Sequence, residues 1–262
     1  MIENYLINIL SLLIICFTLS ACTKNNSENK PTNSNDVLIG DLGGMPVNLP
    51  SNITHLVEYN GDPSWGEKRN NPIPQRTYQS KINSFGFDLR YTDGRLLDNK
   101  NLELLKQYDK ERLKTDNPWI SIGVMSGDRY NGVGAIHRIA DGAIYPKSNN
   151  LLPIYIYSKL TDKQYMLEVY APAGIDPKTN RPWRYNKDAE DIFIQRNNEG
   201  KVVTFIKCTN RTNIPRPPCT HYFDLEPEIG GYVYASYSRW NLEKWQIIQS
   251  EIKKAIFQFK RD

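Results

Sequence analysis

Residues Asp191 to Cys208 read DIFIQRNNEGKVVTFIKC, two runs of alternating apolar and polar side chains separated by Asn197-Asn198-Glu199-Gly200. A period of two places alternate side chains on opposite faces of an extended strand. Asn and Gly accept the positive φ that a tight reversal needs. The segment is therefore a β-hairpin, and its pairing is antiparallel.

Similar runs flank it. Residues 53–59, 85–91, 119–125, 153–158, 165–171, 221–225 and 232–238 are short, rich in Tyr, Val, Ile and Phe, and bounded by Gly, Pro, Asn or Asp, so they read as strands. Two helices interrupt them. Residues 101–114 carry Leu102, Leu105 and Leu113 with Leu104 and Tyr108 alongside, Asp98 or Asn99 as a cap and a stop before Pro118. From Asn241, a good capping residue, Trp245, Ile248, Ile252, Ala255, Ile256 and Phe259 follow at helical spacing, while Glu243, Lys244, Gln249, Lys253 and Lys254 face away. Without regular strand–helix alternation a doubly wound parallel fold is disfavoured. The pattern predicts an α+β fold, a mainly antiparallel sheet with the C-terminal amphipathic helix packed on it. The segment YPKSNNLLP at 145–153 is a candidate divide between two lobes of the globular region, 37–262.

The N-terminus has a different character. From Tyr5 to Ala21 the chain is uncharged and mostly apolar, shorter than the ~20 residues of a spanning helix, so residues 1–21 read as a cleaved export signal. An anchor helix left in place is the rival reading. Leu19-Ser20-Ala21-Cys22 resembles the lipobox of bacterial lipoproteins, although Glu3 stands where that pattern carries positive charge. The resemblance implies that Cys22 is acylated and becomes the mature N-terminus. It also implies sorting to the periplasmic face of the outer membrane, because Thr23 replaces the Asp that would retain the protein at the inner membrane. Two or more acyl chains anchor a protein stably where one does not. Residues 22–36, rich in Asn, Ser and Lys, lack the apolar surface that would offset their ordering entropy and read as a flexible tether.

Of four cysteines, Cys16 leaves with the signal and Cys22 takes lipid, so Cys208 and Cys219 remain. An even pair in an exported chain is expected to form a disulfide. A metal pair is the alternative, with only His221 nearby and without close ligand spacing. The 33 basic and 29 acidic residues, net charge +4, are spread along the chain with no Lys/Arg block, which argues against nucleic acid as a partner. Sixteen tyrosines and five tryptophans suit β-rich packing or an adhesive surface.

No catalytic set is legible. His55, His137 and His221 are scattered outside any paired-ligand motif. In GVMSG, Gly123–Gly127, the serine is fourth, so the nucleophile-elbow spacing fails. GDLGG at Gly40–Gly44 and NGVGA at Asn131–Ala135 lack the spacing of phosphate cradles and read as turns. Asp41, Glu58, Asp62, Asp88 and Glu168 cannot be paired from sequence. The expectation is a non-enzyme without cofactor or metal. Two loops combine aromatics with arginines, YNGDPSWGEKRNNPIPQR at Tyr59–Arg76 and DPKTNRPWRYNKD at Asp176–Asp188. Trp, Tyr and Arg dominate binding hot spots, which makes Trp65, Arg69, Trp183 and Arg184 candidate partner contacts. The plainer reading tucks both tryptophans against the sheet edge.

Cys219–Phe259, CTHYFDLEPEIGGYVYASYSRWNLEKWQIIQSEIKKAIFQF, resembles the C-terminal region of periplasmic immunity lipoproteins paired with type VI secretion lipase effectors. The likeness lies in a cysteine, His and Phe two apart, a strand ending in Tyr-Ser-Arg, and an amphipathic helix around Leu242 and Trp245. DLGGMPVNLP, YNGDPSWGEKR and YQSKINSFGFDLRY are similar to the opening of such proteins. The resemblance implies a lipoprotein that binds and blocks a toxic phospholipase delivered to the periplasm. An envelope structural or assembly lipoprotein is the other reading.

Overall fold

The computed structural model describes residues 36–63, 66–68, 72–146, 155–211 and 213–261. Cys22, Trp65 and Arg69, and most of the segment 145–153, lie outside the described residues. Residues 35–262 form one compact unit. In chain order the strands are β1 (Val37–Leu42), β2 (Met45–Pro50), β3 (His55–Tyr59), β4 (Ile82–Arg90), β5 (Arg95–Leu96), β6 (Trp119–Ser126), β7 (Tyr157–Lys159), β8 (Glu168–Pro172), β9 (Ile175–Asp176), β10 (Arg181–Pro182), β11 (Glu190–Arg196), β12 (Val202–Thr209), β13 (Pro218–Asp224) and β14 (Gly231–Ser238). Among the described residues the helices are α1 (Leu102–Glu111), α2 (Ala135–Ile144) and α3 (Trp245–Gln258).

Ten strands form one antiparallel sheet in the order β3-β4-β6-β14-β13-β12-β11-β8-β7, with β5 beside β4. The fold is α+β, with the C-terminal helix packed on the sheet. The sheet takes strands from both sides of 145–153, because β6 pairs with β14 from Ser126↔Gly231 to Ser121↔Ser236.

The hairpin that decides the fold is β11–β12, with Phe193 opposite Ile206 and Ile194 opposite Phe205. Its turn is held by the Asn197 carboxamide oxygen, which accepts from the main-chain N–H groups of Glu199 and Lys201 at 3.1 and 2.9 Å. Gly200 supplies the positive φ, +77°. Phe193 and Ile206 face one core. Ile192, Ile194 and Phe205 face another.

On the first face lies α3. Trp245, Ile248, Ile252, Ala255 and Ile256 are buried against Phe85, Phe87, Ile120, Val124, Phe223 and Val233. Phe259 meets Phe85 and Phe87 edge to face at 5.8 and 5.6 Å. Asn241 does not cap this helix. It lies in a 3-10 turn, Arg239–Lys244, and donates to the Asn117 carbonyl at 2.7 Å. The β1–β2 hairpin closes the same core with Leu42, Met45, Val47 and Leu49. Its tight turn is the GDLGG glycine pair, where Gly43 and Gly44 take φ of +56° and +100°.

Two helical expectations need correction. Helix α1 begins two or three residues later than a cap at Asp98 or Asn99 implies, since Asn101 itself accepts from the Leu104 N–H at 3.1 Å. Its docking stripe is not Leu102 and Leu113, which are 72% and 66% exposed. Leu104 and Glu111 are buried instead. The second correction is α2, which occupies a segment whose start reads as a turn. Ile136, Ala140 and Ile144 recur at four-residue spacing and pack on Ile192, Ile194, Val202 and Phe205, covering the second face of the sheet over β11–β13.

Candidate functional site

Strand parity fixes what the second face shows where α2 does not reach. On β4, β6 and β14 the residues opposite the first core are Ser84, Gly86 and Asp88, then Ser121, Gly123 and Met125, then Tyr232, Tyr234 and Ser236. Ser121, Tyr234 and Ser236 are exposed. This part of the sheet is bare among the described residues.

One cross-strand row organises it. His55 pairs with Gly86, Gly86 with Gly123, Gly123 with Tyr234, Tyr234 with Tyr222, and Tyr222 with Phe205. A β-carbon at Gly86 would stand 2.6 Å from His55 Nε2, and one at Gly123 would stand 2.2 Å from Tyr234 Cζ. Both rings lie over glycines. Tyr222 and Tyr234 are 6.5 Å apart, Phe205 and Tyr222 5.4 Å, and Tyr130 and Tyr232 6.5 Å. Phe205 is buried in the α2 core, Tyr222 and Tyr232 are partly buried against it, and Tyr234 is exposed, so the aromatic row runs from the core out to an exposed tyrosine, the side-chain type that gives much contact area at small entropic cost.

The rim is polar and stiff. Arg129 makes a bidentate ion pair with Glu58 at 2.6 and 2.7 Å, and Ser84 Oγ donates to the same carboxylate at 3.0 Å. The Arg129 hydrogen bond, first among several causes, holds the Glu58 carboxyl below its ordinary pKa. Beside it, Leu56 sits at a register shift in β3 with φ +51° and 77% exposure. A leucine in the left-handed region costs roughly 1–2 kcal/mol, and such strain concentrates at functional positions. A groove of about 570 Å³ runs between Leu56, Glu58, Ser84 and Arg129. Across the face, Arg138 donates to the carbonyls of Asn131, Gly132 and Val133 at 2.7, 3.0 and 2.9 Å. That network presents Val133 at 75% exposure.

The loop residues singled out in sequence go elsewhere. Arg184 Nε and Nη2 donate to Asp191 at 2.8 and 2.9 Å, and Arg239 Nη2 donates to the same carboxylate at 2.6 Å. Asp191 is fully buried. The Arg184 side chain, 31% exposed, is thus held by a buried carboxylate that needs its charge. Trp183, half-buried, stacks edge to face on Tyr155 at 5.8 Å. Neither residue joins the bare face, and the aromatic row was missed because it assembles from six strands.

The histidines are separate as well. His221, fully buried between Phe223, Tyr237 and Trp245, contacts Gln249 Oε1 at 3.1 Å, and burial pushes its pKa down to about 3. His137 pairs with Asp141 on α2. Cys208 and Cys219 are disulfide-bonded across the β12–β13 pair. Among the described residues no group of three or more metal-donor side chains exists, and no helix is long and apolar enough to cross a membrane.

These features define a disulfide-bonded, β-rich domain with a bare aromatic sheet face. No family model matches the chain, and no curated protein matches it. Among solved structures it is similar to Smlt3025, an immunity protein of the Stenotrophomonas maltophilia type IV secretion system, with TM-score 0.54 and 14% identity over 87% of this chain and 94% of that one. It is also similar to the Neisseria meningitidis iron-regulated outer membrane lipoprotein FrpD, with TM-score 0.44 and 14% identity over 86% and 93%. At these identities the first likeness speaks to fold, and the second is too distant to bear further weight.

Proposed function

We propose that this protein is a periplasmic immunity lipoprotein that binds and neutralises a secreted antibacterial effector. The observation that carries the reading is the bare face, in which His55 lies over Gly86 and Tyr234 over Gly123 beside the strained, exposed Leu56. Inhibition by occlusion needs complementary surface and no chemistry. The fold shared with an immunity protein of a type IV system supports the class. The finer reading, a phospholipase delivered by a type VI system, rests on the resemblance of Cys219–Phe259. The proposed location is the periplasmic face of the outer membrane, through lipid on Cys22.

Co-expression of a periplasm-directed lipase effector encoded beside this gene, with and without the lipoprotein, tests the reading by cell survival. Rescue that disappears when Tyr234 and Leu56 are replaced by alanine is the expected result. Survival unaffected by the lipoprotein would favour the envelope structural alternative.

A further inference from the structure

We propose that the cleft at the α1 end of the bare face is a binding site for an organic cation, a guanidinium or alkylammonium group. The cleft holds about 300 Å³. Its floor is one cross-strand row, Asp88 on β4, Ser121 on β6 and Ser236 on β14. Tyr108 and Trp119 line it, their rings edge to face at 5.2 Å. The indole is fixed, because Trp119 Nε1 donates to Glu111 Oε2 at 2.9 Å. Ser238 lines the cleft at 7% exposure, and its hydroxyl has no hydrogen-bond partner among the described residues.

The chemistry follows from these groups. Asp88 is half-buried and makes no ion pair among the described residues. Burial raises its pKa, opposed by the nearby His55 and a hydrogen bond with Ser121. A carboxylate in that condition gains most from a cation that brings its own hydrogen bonds. The partly exposed Tyr108 ring beside it, backed by the buried Trp119, adds cation–π attraction, and the serine hydroxyls supply acceptors. Arg216, the one arginine or lysine lining the cleft among the described residues, donates to the Arg112 carbonyl oxygen and forms no ion pair with Asp88. Asp88 is left for an incoming group. The same chemistry is offered by an Arg or Lys side chain of a protein seated on the tyrosine face and by a free small amine.

The test uses the compact unit, residues 35–262, titrated by NMR with agmatine and separately with the peptide acetyl-Gly-Arg-Gly-amide. Saturable binding in the millimolar range is expected, weakened at least tenfold by Asp88→Asn at an unchanged or raised Tm. Ser236→Leu, on an exposed strand position, fills the cleft and should abolish binding, which keeps the test valid if Asp88→Asn misfolds. Tighter binding of the peptide supports the site with a protein side chain as ligand, and tighter binding of agmatine supports it with a free amine. No saturable binding of either probe, or acetate saturating the cleft in their place, would overturn the proposal.

Discussion

Tyr234 lies flat across Gly123, close enough that a β-carbon on the glycine would stand 2.2 Å from the ring. The two are cross-strand partners, so the absence of one side chain sets the orientation of the other. Since Tyr234 is exposed, its ring can swing outward when Gly123→Ala is made. The expected outcome is a fold that keeps its Tm within a few degrees and a partner affinity reduced by roughly 2 kcal/mol, the size of a hot-spot loss. Differential scanning calorimetry and titration calorimetry on the same sample separate the two effects.

A second prediction concerns Asp224. Burial first, and then the neighbouring Glu226, raise its pKa to about 6, and its Oδ1 is buried without a partner. A raised carboxyl pKa contributes stability that is present below the unfolded value of about 3.9 and lost as pH rises through 6. Asp224→Asn should therefore be more stable than the parent at pH 7 and equal to it near pH 4. Equal Tm values at both pH values would contradict this.

His221 titrates with the opposite sign. Its pKa is depressed to about 3, so its contribution is present above the unfolded pKa near 6.5 and lost as pH falls toward 3. His221→Gln retains a hydrogen-bonding group toward Gln249 and removes the ring's titration. The variant should start less stable at pH 7, because the ring packs against Phe223, Tyr237 and Trp245, and should lose less on acidification to pH 4. Parallel Tm-against-pH curves for parent and variant would refute the assignment.

Reduction of the Cys208–Cys219 bridge supplies a fourth test. Closing a loop of this length, with a sequence separation of 11, is worth roughly 3 kcal/mol in the chain-entropy model. For a domain of this size the loss lowers Tm by on the order of 10 °C. Thermal unfolding with and without reductant measures it.

Most strands of the large sheet and the last helix were legible because their periodicity is strong and their boundaries carry Gly, Pro or Asn, whereas the β1–β2 hairpin and the two-residue strands β5, β9 and β10 were not. Helix α2 was not, because Gly134 precedes it and Gly142 lies inside it, and ten residues give little periodic signal. In α1 the leucines suggested the wrong stripe. A buried glutamate decided the docking, since Glu111 accepts from Arg90, Gln107 and Trp119 and its pKa falls to about 2. Such a network joins residues distant in sequence. Alternation in β14 already sorts Tyr232 and Tyr234 from Val233 and Ala235, so half of the tyrosine face was readable. That His55, Gly86 and Gly123 lie in the same row follows only from strand order. The pairing of Arg184 with the buried Asp191 was not readable either, because the two side chains come from a loop and a strand whose register only the fold sets.

The central claim is that the bare aromatic face binds an effector. The most direct measurement is titration calorimetry of residues 35–262 with each purified secreted protein encoded beside the gene, using the parent and Tyr234→Ala. A saturable one-to-one complex that loses roughly 2 kcal/mol of affinity in the variant is the expected result. No heat of binding with the parent, or equal affinity in both proteins, would contradict it.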